Sequence, residues 1–540
     1  MRSEYVVKNS FWTTINNIAN IIIGFISRTL FIYFLNSEYL GINGLFTNVL
    51  SLLSLSELGF SSAVTYNLYK PLKEGDDRKV AALMNFYKWI YRGVAVFILV
   101  VGLALVPFLQ YIIKDTTFEI SYIRVVYVIF LLKTTISYLY SYNYTLATAD
   151  QKSYLTAKIT LVSNFIIPFA KIGVLAYTRS FIAYIVTEII LNLITNVIKA
   201  YYVRTKYPVL KDTKSTLTKD EKMKMVTDVK NIFLGKVSTT ILNSTDNIII
   251  SAFVSVVSVG FLSNYNTLIG YVQTFINGSL YSSQASIGNA IASETKEYVL
   301  KILNKLTMIT LFVASFACTA LFCLSSDFIS IVWARNEDMT LPVLTVFIVM
   351  FNSFFQMIKN PLWMTLTGCG LFNKDKYISI AGAIVNLVVS LILVQFADIR
   401  GVIWGTIISQ FVQLLLKAKL LFSEYFKMSC KKYLARILLC FTVFVFELMV
   451  TYGCCCLVPA MNEILSFGIK AVICLLVPNA ITVILFHKTD AFHYFTGLVM
   501  KTLKRKYNFV PVTKSLQVME RHGLLRWKKK ESVSLLLFTM

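Results

Sequence analysis

Histidine is nearly missing from this chain of 540 residues: only His487, His493 and His522 occur, all at or beyond the end of the last long apolar stretch. No Ser/His/Asp set and no His-ligated metal can therefore form within the apolar region. DxD-type metal pairs and a Walker A loop are absent as well, which removes the usual machinery of sugar-nucleotide transfer and ATP hydrolysis. The nine cysteines lack the spaced Cys and His pairs of zinc sites. Cys454, Cys455 and Cys456 are adjacent, and Cys318, Cys323, Cys440 and Cys474 lie in or near other apolar stretches, so packing thiols are expected. No cofactor is implied. Charge is scarce too, at 15% of residues, and acid scarcer still: 28 Asp and Glu stand against 52 Lys and Arg, a net charge of +24. Most of the cations sit in short links and a tail rather than on a soluble face, so nucleic acid is not the expected partner.

What is abundant is apolar surface. The chain is 56% hydrophobic with a mean hydropathy of +0.66. A bilayer core of about 30 Å needs about 20 apolar helical residues. About fourteen stretches meet that length, near 10–35, 41–67, 83–111, 119–147, 155–177, 181–203, 229–255, 260–290, 299–325, 341–368, 376–396, 399–422, 432–457 and 463–487. The first is too long for the apolar core of a signal peptide. The links alternate. One set carries Lys70, Lys73, Arg78 and Lys79, then Lys152 and Lys158, then the run 204–230. It continues through Lys296, Lys301 and Lys305 to Lys374, Lys376, Lys417 and Lys419. The other set holds at most Lys114, Arg179, Arg335 or Arg400. Lys and Arg in short loops stay in the cytoplasm, so the first set and both termini are expected there. These cations also attract anionic lipid headgroups.

An internal repeat is visible. Val7-Lys8-Asn9-Ser10-Phe11 opens span one, and Val229-Lys230-Asn231-Ile232-Phe233 opens span seven. The interval from Lys8 to Lys230 recurs between Asn164 in span five and Asn386 in span eleven. The expected fold is all-α and polytopic: two pseudo-symmetric six-helix lobes, 1–203 and 229–422, joined by a basic linker, 204–228. Two appended helices, 423–487, and a basic tail, 488–540, complete it. Because six is even, both lobes enter the membrane the same way, as in parallel-repeat transporters with a cavity between lobes.

Ionisable residues inside spans are costly, at about 2.5–3.5 kcal/mol on insertion scales, and each calls for a reason. Arg28, Glu57, Lys133, Lys171, Asp246 and Lys359 are such residues. Lys133 and Lys359 occupy corresponding helices, separated by close to the same interval. A cavity lined by Arg28, Lys133, Lys171 and Lys359 would suit an anionic headgroup such as a pyrophosphate. Pairing with Glu57, Asp246 or Glu188 is the competing explanation. Glu188, Lys236 and Glu447 suit snorkelling or packing. Pro168 and Pro361 are expected to interrupt spans five and ten. Polar stripes at Asn16, Asn17 and Asn20, and at Asn243, Ser244, Thr245 and Asn247, suit a wet wall or a hydrogen-bonded seam.

The block Ser27-Arg28-Thr29 through Glu38-Tyr39-Leu40-Gly41-Ile42-Asn43-Gly44-Leu45-Phe46 resembles bacterial polysaccharide repeat-unit flippases, and so does its continuation to Tyr69-Lys70-Pro71-Leu72. Ala149-Asp150-Gln151-Lys152, Gly370-Leu371-Phe372-Asn373 and Gly401-Val402-Ile403-Trp404-Gly405-Thr406 fit as well. These are the Wzx-type members of the MOP exporter superfamily. The resemblance spans about residues 5–490. It implies a non-enzymatic carrier of undecaprenyl-pyrophosphate-linked oligosaccharide across the bacterial cytoplasmic membrane, for capsule, exopolysaccharide or O-antigen-type synthesis. Membrane lipids, and other polysaccharide-assembly membrane proteins, are the further partners it implies. Arg28 falls on the family's first-span arginine. The lipid II flippase branch is disfavoured, because its members place an acid after that arginine and Thr29 stands here. A superfamily drug or metabolite antiporter would have twelve spans and fewer buried cations. A polysaccharide polymerase or ligase would need a long outward catalytic loop.

Overall fold

A computed structural model describes residues 2–54, 60–150, 152–223, 225, 244–281, 284–333, 339–459 and 461–497, and among these there is no strand. Glu57, Lys236, Asn243, Arg335, the 229–233 motif and the basic tail from 498 lie outside the described residues. In lipid a helix satisfies its own backbone polar groups, which is why the apolar runs fold as they do.

Helices Arg2–Phe34, Ser37–Leu53 with Phe60–Glu74, Asp77–Leu105, Ile120–Ala149, Tyr154–Thr178 and Phe181–Lys206 take up the first six stretches. Residues 244–253 are the described part of the seventh. Val256–Tyr281, Lys296–Phe328, Val343–Ile358 with Asn360–Gly368, Phe372–Leu421, Lys431–Cys456 and Glu463–Phe486 follow. Ten described segments are long and apolar enough to cross a membrane. Their outward surface is apolar, with Val100, Ile166, Ile190, Leu439 and Leu476 exposed as lipid-facing groups are. The molecule is a multi-pass membrane protein.

Phe372–Leu421 is not one rod. A straight helix of 50 residues would be about 75 Å long, far more than a bilayer crossing. Ala397 (φ −135°) and Asp398 (φ 49°) leave helical geometry. The chain then doubles back: Asn386 Nδ2 donates to Thr406 Oγ1 at 2.9 Å, Ser390 Oγ to Val402 O at 3.2 Å, and Lys417 Nζ lies 2.8 Å from Asp375 Oδ1. Stretches 376–396 and 399–422 are thus two antiparallel spans, as the sequence predicts.

The two prolines act differently. Pro361 stands at the start of Asn360–Gly368, where the helix that began at Val343 has ended at Ile358. Pro168 lies inside an unbroken Tyr154–Thr178, contrary to the expected interruption. It removes one backbone donor without stopping the helix.

Arg2–Phe34 packs on Tyr154–Thr178, and Asp77–Leu105 on Ile120–Ala149. In the second half Lys296–Phe328 packs on Val343–Ile358 and Lys431–Cys456. The halves meet where Ser37–Leu53 crosses Val256–Tyr281. A Cβ at Gly41 would lie 2.0 Å from Val256 O, and one at Gly260 2.4 Å from Ser37 O, so glycine alone permits this approach from both sides. Ser37 stands to Val256 as Gly41 stands to Gly260, so the crossing is reciprocal, as at a two-fold interface. At the same end of the bundle Lys114 N donates to Ser251 O at 3.1 Å and Val256 N to Lys114 O at 3.3 Å. Glu38, buried, accepts from Thr117 N at 2.7 Å and Thr117 Oγ1 at 2.6 Å. This is the end of the cation-poor links. At the opposite end the basic connection is anchored on Asp77–Leu105. Asn85 Nδ2 donates to Asp212 O and Ser215 O, both at 3.0 Å, and Lys79 pairs with Glu221.

A second unit begins at Ile481. Its described part is the end of the Glu463–Phe486 helix and a helical run over 490–497.

Candidate functional site

Two groups of polar side chains lie inside the helical bundle. The first belongs to the N-terminal half. Lys133 Nζ lies 2.6 Å from Glu188 Oε1 and Lys171 Nζ 2.5 Å from Glu188 Oε2, so one carboxylate holds two ammonium groups. Tyr184, one turn before Glu188, carries Lys171 Nζ 4.1 Å from its ring centroid and stands within electrostatic reach of Arg28. Arg28 crosses to the other half. Its Nη2 donates to Ser263 Oγ at 2.5 Å and to Asn264 Oδ1 at 2.7 Å, on Val256–Tyr281. Its Nε is buried without a hydrogen-bond partner. Beside it Trp333 Nε1 donates to Thr29 Oγ1 at 3.0 Å. Three cations against one carboxylate leave this group positive, with an Arg N–H unspent.

The second group lines a cavity of about 490 Å³ in the C-terminal half. Lys359 sits at the junction of Val343–Ile358 and Asn360–Gly368, where Pro361 prevents one helix from running through. Its Nζ donates to Gln410 Oε1 at 3.0 Å, and Gln410 Nε2 donates to Asn352 Oδ1 at 2.8 Å. Asp246 accepts from Thr406 Oγ1 at 2.7 Å. The remaining polar lining is rich in amides, including Asn247, Asn266, Gln273, Gln356 and Gln413, with Trp363 as its large aromatic.

The sequence-predicted residues thus divide. Arg28, Lys133 and Lys171 come together in one half, while Lys359 and Asp246 line the chamber of the other. The structure does not bring Lys133 and Lys359 into one group. Glu57 lies outside the described residues. The stripes also divide: Asn16 forms a seam, donating to Ala157 O at 3.3 Å and accepting from Asn164 at 3.4 Å, whereas Asn247 lines the cavity. Asn386, the counterpart of Asn164, likewise reaches the first helix of its half, accepting from Thr245 at 3.4 Å.

Glu188, weighed in the sequence as a pairing partner for these cations, is the shared partner of the part-buried Lys133 and Lys171. Two features escaped sequence reading. Lys417, counted among the link cations, is 2% exposed, donating to Ser379 Oγ at 2.9 Å with its Nζ 3.1 Å from the Trp363 ring centroid. Cys323, Cys455 and Cys474, from three helices, bring their sulfurs within 4.8 Å of one another. No spacing in one chain segment announces such a meeting.

The polysaccharide biosynthesis protein family profile matches residues 6–285. No curated protein matches the chain. Among solved structures, a lipid II flippase MurJ in an inward closed conformation is similar with a TM-score of 0.64 and 17% identity, over 88% of this chain and 98% of that one. An inward-facing MATE family multidrug resistance transporter of the MOP superfamily gives 0.56 and 13%, over 79% and 99%. A Vibrio cholerae MATE transporter gives 0.52 and 13%, over 78% and 97%. At these identities the likeness is one of fold, and it agrees with about fourteen helices. With more than half its length matched by the family profile, the chain belongs to the polysaccharide biosynthesis protein family.

Proposed function

We propose that this protein is a flippase that moves an undecaprenyl-pyrophosphate-linked oligosaccharide across the bacterial cytoplasmic membrane by alternating access. The observation that carries the reading is Arg28. It is an arginine inside the bundle, held by Ser263 and Asn264 of the other half, sharing the neighbour Tyr184 with the lysine pair that holds one carboxylate. A guanidinium binds phosphate oxygens through a fork of N–H donors, and a lysine adds a movable charge. Because Arg28 belongs to one half and its partners to the other, a phosphate that competes for its donors also loosens the contact between halves. That couples binding to opening.

In this reading 1–203 and 229–422 are the two lobes, 204–228 is the cytoplasmic tether, 423–487 adds two helices and 488–540 is a basic tail. The basic links and both termini face the cytoplasm, where they also meet anionic lipids. The halves then touch at the outer end, which is the arrangement of a carrier closed to the outside. Family membership favours a polysaccharide precursor over a drug or metabolite as cargo, and Arg28, Lys133 and Lys171 are the side chains we assign to its anionic part. The test is export of a lipid-linked oligosaccharide in cells lacking their own flippase. The wild-type chain should restore it. Arg28→Ala and Lys171→Ala, inserted at equal level, should each reduce it about tenfold or more, the scale of a lost charged hydrogen bond. Full export by both variants would overturn the reading.

A further inference from the structure

The cavity of the C-terminal half has the wrong chemistry for a pyrophosphate, and this is informative. Its cation, Lys359, is tied to Gln410, and its carboxylate, Asp246, is tied to Thr406. The cavity is therefore close to neutral. What fills its wall instead is amide. Asn247, Asn266, Gln273, Asn352, Gln356 and Gln413 all face it. Each primary amide offers two donors and a carbonyl acceptor. An apolar tail placed here would strand those groups, and a bare anion would meet as many acceptors as donors. A polyhydroxylated ligand, which donates and accepts at every hydroxyl, satisfies both.

Two further observations point to an occupant. Gln413 is 2% exposed, lines the cavity, and leaves its Nε2 without a hydrogen-bond partner. Its amide lies where a Cβ on Gly382 would be, 2.1 Å away, so the residue opposite must be glycine for it to sit there. Trp363 also lines the cavity, while Lys417, against its ring, does not. Lys359 Nζ, on the cavity wall, stands 5.8 Å from the same ring centroid, and an indole in such a wall can stack on the apolar face of a sugar ring. The volume, about 490 Å³, falls within the range of small-ligand sites.

We infer that this amide-lined cavity is a subsite for the neutral glycan of the cargo, separate from the Arg28 group that would take its pyrophosphate. The inference rests on the flippase reading. It divides the headgroup between the two halves: charge on the N-terminal side, hydroxyls on the C-terminal side.

The test uses purified full-length protein in lipid nanodiscs and two probes. One is undecaprenyl pyrophosphate; the other is the same lipid bearing a neutral disaccharide. Wild type should bind the disaccharide lipid about tenfold more tightly. Asn266→Leu and Gln356→Leu should each erase about fivefold of that preference, on the order of one hydrogen bond, while binding the bare lipid as wild type does. Leu439→Met, on the lipid-facing surface, should alter neither. Arg28→Ala should weaken both probes alike. If wild type shows no preference for the sugar, or the amide variants weaken the bare lipid equally, the glycan subsite is wrong while the flippase reading stands on Arg28. If folded wild type binds neither probe, both fall.

Discussion

Lys133 and Lys171 reach a single carboxylate, so removing Glu188 leaves two ammonium groups facing each other inside the membrane. Breaking a buried ion pair by deleting one partner costs about 3–5 kcal/mol. Glu188 keeps 20% of its side-chain surface exposed, which places it toward the low end of that range. Glu188→Gln should therefore lower the thermal unfolding midpoint in detergent, and adding Lys171→Met should recover part of the loss. A double variant no more stable than Glu188→Gln alone would contradict a shared partner. Arg28→Lys tests a different property. A lysine keeps the charge but not the fork that reaches Ser263 and Asn264 together. Export by Arg28→Lys should stay close to that of Arg28→Ala, and near-normal export would show that charge alone suffices. At this scale the cations were legible because insertion cost marks them. Glu188 was legible only as one of three candidate partners, because its lysines sit on two other helices, and Lys417 was not legible, because its neighbours in sequence are link lysines.

Two elements depend on backbone that sequence marks faintly. The return at Ala397–Asp398 takes only two non-helical residues, one of them at φ 49°. Glycine adopts positive φ without the steric cost that aspartate carries there. Asp398→Gly should preserve or raise stability, and Asp398→Ile should lower it; thermal unfolding distinguishes them. The length of the apolar run made two spans legible, since a single helix would overshoot the bilayer more than twofold. The crossing of Ser37–Leu53 with Val256–Tyr281 was not legible, although Gly41 belongs to the block that resembles the family. A contact between halves has no local signature. Gly41→Val and Gly260→Val should each part the helices, read as a lowered thermal unfolding midpoint in detergent. Gly44→Ala, whose Cβ would find its nearest neighbour 3.6 Å away, should unfold as the wild type does.

For the whole molecule, the alternation of basic and cation-poor links made the architecture readable before any coordinates, together with the repeat that sets Lys8 against Lys230 and Asn164 against Asn386. They did not reveal that the halves touch at one end and that each gathers its own polar group, the second of them around a cavity. One half concentrates charge around Arg28; the other gathers amides around Lys359. On the proposed reading, this division would hold a headgroup that is both anionic and hydroxylated while its lipid tail stays in the bilayer. The most direct test is leaflet transfer in proteoliposomes containing only this protein and an undecaprenyl-pyrophosphate-linked oligosaccharide with a fluorescent sugar. A membrane-impermeant quencher reports the fraction in the outer leaflet. The account predicts protein-dependent transfer that Arg28→Ala slows about tenfold or more, the scale of a lost charged hydrogen bond. Transfer no faster than in protein-free vesicles, or an Arg28→Ala rate equal to wild type, would contradict it.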